Sequence, residues 1–172
     1  MYACPVGPLG EQVESYLAES LRRCGPNSAH GYMPHCSLTG FFYDDPASIP
    51  GYVDALGSAL ARARPHRPDR PVRVVELRLG PDFLGLLLES PWLRVVAAEF
   101  VKRATSSTRR APLRLKSDLH VSLAYGFRDE DSETLTHLAR TSVNPEAPGE
   151  WRLRLYEQKA DRSWECHIDY PV

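Results

Sequence analysis

Two histidines in this chain are each followed, two residues on, by a serine and then a leucine: "MPHCSLTGFF" at residues 33–42 and "LHVSLAYGF" at 119–127. Alternate side chains of a β-strand share a face. His35, Ser37 and Thr39 are therefore expected on one face of the first stretch, and His120, Ser122 and Ala124 on one face of the second. Cys36, Leu38, Val121 and Leu123 would lie beneath, under helices. Two imidazoles and two hydroxyls facing one cleft suit phosphoryl chemistry. A neutral imidazole accepts a proton from a nucleophile, and an imidazolium protonates a leaving oxygen. Imidazole supplies both forms near neutral pH. The hydroxyls can hold non-bridging phosphate oxygens, and no metal is needed.

Average composition would place two such phrases among six histidines in about one chain in several hundred. The elements around them make coincidence rarer still. "YAC" reads as a strand, broken by Pro5, Gly7 and Pro8. "LGEQVESYLAESLRRCG" has Val13, Tyr16, Leu17 and Leu21 at helical spacing, with Gly25 to end the helix. Residues 33–43 read as a strand, and "SIPGYVDALGSALARAR" as a helix with Ser48 at its N-cap. "VRVVELRLG" and "FLGLLLES" follow as two strands. "SPWLRVVAAEFVKRATSS" is a helix with Ser90 as N-cap and Pro91 at its first position. Residues 118–127 form a strand, "DSETLTHLARTS" a helix, and "WRLRLYEQKADRSWECHIDY" a closing hairpin turning near residues 160–163. The order is β, then α-β-α-β-β twice, with one His-x-Ser-Leu strand at the same place in each block. The expectation is an α+β fold built by internal duplication, in one domain over residues 1–172.

Composition narrows the classes. The chain has 172 residues, 42% of them hydrophobic, enough for one sizeable core, and 21 Lys plus Arg against 22 Asp plus Glu. That balance excludes a protein that coats nucleic acid at large but not a local anion site. No apolar run is long enough to span a membrane, and the opening residues lack the pattern of a secretory signal. Cys4, Cys24, Cys36 and Cys166 have neither C-x-x-C pairing nor zinc spacing. They read as free thiols, which points to the cytoplasm.

The two phrases resemble the paired His-x-Ser/Thr-x-Thr motifs of the two-histidine (2H) phosphoesterase superfamily. More narrowly, "CGPNSAHGYMPHCSLTGFF", "FLGLLLES" and "LHVSLAYGF" look like the phosphoesterase domain of the TULA/Sts, or ubiquitin-associated and SH3-domain-containing, proteins. The resemblance runs from "CPVGPL" to about Phe127. It implies a bilobal, duplicated, LigT-like fold with two antiparallel sheets lining a central cleft and helices outside. It also implies hydrolysis of a 2′,3′-cyclic nucleotide or a cyclic-phosphate RNA 3′-end without cofactor or metal. By position, His35 and His120 match the catalytic histidines, Ser37 and Ser122 the phosphate-holding hydroxyls, and Thr39 the last motif position. Ala124 departs from the usual Thr and takes no role.

Tyr32, Phe41 and Tyr125 flank the motifs and are candidate base-stacking side chains. His30 is expected to brace the cleft, and Trp164 and His167 to be structural. The run Arg62 to Arg73 reads as a solvated connector, and "RRAPLRLK" at 109–116 as a basic stretch nearer the cleft mouth. Other readings are a hydrolase of a cyclic (oligo)nucleotide signal, or a silent module that binds a nucleotide or a protein. A monomer is expected.

Overall fold

The computed structural model describes residues 1–172. Strand β1 (Tyr2–Val6) leads straight into helix α1 (Gly7–Cys24). Pro8 sits in the first helical turn, where its missing N–H costs nothing. Leu9, Val13, Tyr16 and Ser20 recur at steps of four, three and four and are buried, giving α1 one core-facing stripe. Gly25, at φ 76°, ends the helix and donates its N–H to the Leu21 carbonyl at 3.0 Å.

The first motif strand, β2, is only Cys36–Ser37, much shorter than the 33–43 expected. Helix α2 spans Ile49–Ala63. Ser48 does not cap it: Ser48 is already helical, Asp45 caps the preceding 3-10 turn, and the Ser48 hydroxyl bonds Ser106 and Thr108 instead. Strands β3 (Arg73–Leu79) and β4 (Phe83–Glu89) form a hairpin. In α3 (Pro91–Arg103), Ser90 caps as expected, accepting from the Leu93 N–H at 3.0 Å. Strand β5 (Leu119–Tyr125) carries the second motif. Helix α4 (Ser132–Ser142) and the hairpin β6 (Glu150–Gln158) and β7 (Trp164–Pro171) complete the chain. No helix is long and apolar enough to cross a membrane.

The seven strands hydrogen-bond into a single antiparallel sheet in the order β3-β4-β5-β2-β1-β6-β7. This corrects the expected two sheets. The motif strands are neighbours at the centre of one sheet, with Cys36 opposite Val121, and so provide one continuous floor. Exchanging the two sequence blocks maps the β3–β4 pairing onto β6–β7 and the β2–β5 pairing onto itself, but the direct β4–β5 pairing has no counterpart, because β1 separates β2 from the β6–β7 hairpin. The β3–β4 hairpin of the first block flanks the second motif strand, and the β6–β7 hairpin of the second flanks the first, with β1 between. Helix α1 packs on α4, and α2 on α3, which the same exchange interconverts.

The core lies under one face of the sheet. Leu84 and Leu86 of β4, Cys36, Leu119, Val121 and Leu123 of the motif strands, and Leu153 of β6 meet Leu9, Val13, Leu56, Leu93, Val96 and Leu135 of the helices. That apolar face fixes which side chains remain on the other.

Candidate active site

The register sets the geometry. With Cys36 opposite Val121, antiparallel counting puts His35 opposite Ser122 and Ser37 opposite His120. All four half-buried side chains share the helix-free face, each histidine facing the other motif's serine. The two histidines are diagonal neighbours, about 7–8 Å apart at the backbone. That spacing leaves room for a phosphoryl group between the rings. A cleft of about 290 Å³ sits above them, bounded by His35, Ser37, His120, Ser122 and Lys116 and by the aromatic rings of Tyr32, Phe41, Phe83 and Tyr125. A larger cavity of about 1300 Å³ lies elsewhere, between the 66–73 connection and the 145–150 loop, and contains no motif residue.

Each imidazole packs against an aromatic ring, and that of His35 is also hydrogen-bonded. His35 Nδ1 lies 2.8 Å from the Met33 carbonyl. A carbonyl only accepts, so Nδ1 carries the proton and Nε2 is left for the cleft. The Tyr2 ring meets the His35 ring edge-on, centroids 4.5 Å apart. On the other strand, Phe83 meets His120 in the same way at 5.2 Å. Phe83 reaches that position because residue 85 is glycine. A Cβ there would run into the Phe83 ring and come within 2.6 Å of the Val121 carbonyl.

Burial holds the pKa of His35 below the ordinary imidazole value. The Met33 carbonyl opposes this, and the proximity of His120 adds to it. Burial lowers His120 as well. The Asp118 backbone and carboxylate pull it back up, and the Lys116 ammonium pushes it down. Burial first, and then the neighbouring Tyr32 hydroxyl, push the Tyr125 phenol above its usual value.

Two expected positions move. Thr39 is 2% exposed, does not line the cleft, and its hydroxyl lies 3.3 Å from the Met1 nitrogen, so it braces β1 against the motif segment. Ala124 is fully buried rather than sharing the face of His120 and Ser122. The cause is a bulge: Gly85 pairs with Ser122 but Leu84 pairs with Ala124, so Leu123 is an extra residue on β5. The alternation flips there. Ala124 turns into the core and Tyr125 turns out into the cleft.

Lys116 was not singled out from the sequence, although it ends the basic stretch 109–116. Its backbone N–H bonds the Leu38 carbonyl at 3.1 Å, and the Thr39–Leu115 bridge fixes the segment beside the first motif. Phe83 had no sequence signal, because only the bulged β4–β5 register brings it to His120.

His30 is a brace, as expected. Its Nδ1 accepts from the Asn27 N–H at 2.9 Å, and its Nε2 lies 3.0 Å from the Leu17 carbonyl and 3.1 Å from Ser20 Oγ. Trp164 is also structural: its indole donates to the Gly31 carbonyl at 3.0 Å, and its ring packs on Tyr32 and Phe41. The fold does gather three possible metal ligands that spacing along the chain concealed. Glu157, Glu165 and His167 lie within 4.8 Å of one another on the last hairpin. They are outside the cleft, and the Lys159 ammonium bonds both carboxylates.

No protein-family model matches the chain, and no solved structure matches it. Relatives do. The chain is 31% identical to an ecdysteroid-phosphate phosphatase of Bombyx mori, over 99% of its own length and 26% of the relative's. It is also 31% identical to the ubiquitin-associated and SH3 domain-containing protein B of mouse and of human, over 92% of its length. The chain belongs to the two-histidine phosphoesterase superfamily. Within that superfamily it is a homologue of the phosphoesterase domain of the TULA/Sts proteins. It spans about a quarter of the length of these curated relatives, so the activities in their names do not transfer with the match.

Proposed function

We propose that this chain is a metal-independent cyclic phosphodiesterase, hydrolysing 2′,3′-cyclic nucleotides or cyclic-phosphate RNA 3′-ends by two-histidine acid–base catalysis. The observation that carries the reading is the crossed arrangement of His35, Ser37, His120 and Ser122 on one sheet face, at the floor of one cleft. The cyclic phosphate lies between the imidazoles, its non-bridging oxygens on the Ser37 and Ser122 hydroxyls and the Lys116 ammonium, with the base against the aromatic walls. The neutral histidine takes a proton from water as the water oxygen bonds phosphorus. The phosphorus–ribose oxygen bond breaks, and the imidazolium protonates the departing oxygen, leaving a phosphomonoester and a free hydroxyl. His35, the more deeply buried, suits the base. His120, less deeply buried and beside Asp118, suits the acid. The cleft walls contain no carboxylate, which supports a metal-free route. The two motifs supply matching His and Ser pairs, which fits one domain of two pseudo-symmetric halves. The exposed free thiol of Cys166 fits a reducing cytoplasm.

The test is release of nucleoside monophosphate from 2′,3′-cyclic substrates in EDTA. Turnover that survives chelation is expected. Turnover lost to EDTA and restored by a divalent ion would overturn the chemistry.

A further inference from the structure

The two imidazoles are oriented by different means. His35 has a ring hydrogen bond, from Nδ1 to the Met33 carbonyl at 2.8 Å. His120 has no ring bond of that quality, and the Asp118 backbone serves only to favour its protonated form. What does meet the His120 ring is Phe83, with centroids 5.2 Å apart and planes at 83°. That is an arrangement aromatic pairs prefer, the positive edge of one ring against the negative face of the other.

Core packing does not account for Phe83. The helices and the apolar cluster lie on the opposite face of the sheet, and Phe83 is not part of that cluster. It lies half-buried on the cleft face instead. Its ring lies back along β4 over Gly85. A Cβ on residue 85 would come within 2.9 Å of Phe83 Cε1 and 2.6 Å of the Val121 carbonyl oxygen, so only glycine leaves the ring its place. Gly85 pairs with Ser122 and Leu87 with His120, so β4 faces the second motif with no charged side chain at either position. The titratable groups that act on His120 come from elsewhere: Lys116 and Asp118 before β5, and His35 in the first motif.

We propose that Phe83 is the positioning residue of His120: its ring, seated over Gly85, holds the imidazole in one orientation for proton transfer. The inference rests on the phosphodiesterase reading above and names the residue that serves its acid. Phe83 itself exchanges no proton. An imidazole free to turn would keep its chemistry but lose its aim, and a misplacement of about 1 Å costs about a hundredfold in rate.

The experiment measures kcat and KM for a 2′,3′-cyclic nucleotide in the wild type, Phe83→Leu and Phe83→Ala. It also follows the His120 ring protons by NMR through a pH titration, the signal being identified by its loss in His120→Gln. Both variants should fold, since Phe83 lies outside the core, and denaturant midpoints check this. In both, kcat should fall by about tenfold to a hundredfold. KM should change much less, because orientation counts in the transition state and not in ground-state binding. Leucine keeps apolar cover over the ring, so the His120 pKa should stay below the ordinary imidazole value of about 6.5. Alanine admits water, so it should rise toward that value. A wall that merely held the base would raise KM and leave kcat alone. An unchanged kcat in either variant, or a His120 titration that Phe83→Ala does not move, overturns the positioning role and leaves the phosphodiesterase reading intact. Wild-type protein with no turnover of the cyclic substrate overturns that reading and the role with it.

Discussion

The two motif strands share a phrase but not a construction. The first is two hydrogen-bonded residues, Cys36–Ser37, and its histidine is the more deeply buried. The second is a full seven-residue strand whose histidine is more open to water. Both imidazoles nonetheless receive the same support from an adjacent strand: an aromatic edge, Tyr2 on β1 or Phe83 on β4. Both third positions leave the cleft, Thr39 to brace Met1 and Ala124 to fill the core. The halves therefore agree at the two positions to which the proposed mechanism assigns roles and part at the third. The difference teaches that in this chain the third position answers to packing. Ala124 is no gap in the site, because nothing there reaches the cleft.

The harshest trial of the shared part is loss of either imidazole. His35→Ala and His120→Ala should each remove two to four decades of kcat/KM, the usual worth of a general acid or base. The double variant should be little worse, because the two groups act as a unit. Steady-state rates on a 2′,3′-cyclic nucleotide decide it. A single variant with near-wild-type turnover would mean that the halves do not cooperate.

The serines come next. One hydrogen bond to a charged phosphate is worth about 1.5–3 kcal/mol, or about one to two decades in rate. Ser37→Ala and Ser122→Ala should each fall in that range with an unchanged unfolding midpoint. Equal and near-zero effects would remove the hydroxyls from the mechanism.

The third position gives the sharpest contrast. Ala124→Thr restores the usual motif residue, yet it forces a branched polar side chain into a fully packed site. It should destabilise the fold by about 1–3 kcal/mol and leave the kcat of the folded fraction unchanged. Thr39→Ala should likewise cost about 1 kcal/mol of stability and little turnover. Denaturant midpoints read beside kcat separate the two outcomes. A gain in activity from Ala124→Thr would show that the third position does face substrate.

Much of this site was legible in the sequence because a strand's period of two is rigid. Given His-x-Ser twice, both pairs had to share a face, and the order of helices and strands placed them equivalently. Sequence could not show that the motif strands would be direct neighbours, since pairing between distant strands depends on which apolar faces meet. Nor could it show the bulge at Leu123. One extra residue there reverses the alternation, carrying Ala124 inward and Tyr125 outward, and no residue type along "HVSLAYGF" announces it. Lys116 was hidden for a similar reason: its position depends on an isolated bridge, Thr39 to Leu115, outside any regular strand. Ser48 failed as a cap because Asp45 had already started a turn of 3-10 helix, so the chain was helical before Ser48 was reached.

The mildest expected effect compares the two histidines through stability. Burial lowers both folded-state pKa values below the ordinary imidazole value of about 6.5 that the unfolded chain retains. Between the lowered values and about 6.5, the unfolded chain binds more protons than the folded one. Stability therefore rises with pH across that window and falls as acid protonates two buried rings. Above about 6.5 both states hold neutral imidazoles, and this contribution to the pH dependence vanishes. Each ring has a group that opposes its burial, the Met33 carbonyl for His35 and Asp118 for His120, so the difference lies in depth, and His35 is the deeper. The acid-side loss should accordingly come more from His35. Denaturant midpoints at about pH 5 and about pH 7 test this in the wild type, His35→Gln and His120→Gln, glutamine keeping a polar side chain in place while removing the titration. The gap between the two pH values should narrow in both variants, and further in His35→Gln. A wild-type gap that neither variant changes would assign the acid sensitivity to other groups. A larger narrowing in His120→Gln would reverse the order of burial, and with it the assignment of His35 as base and His120 as acid.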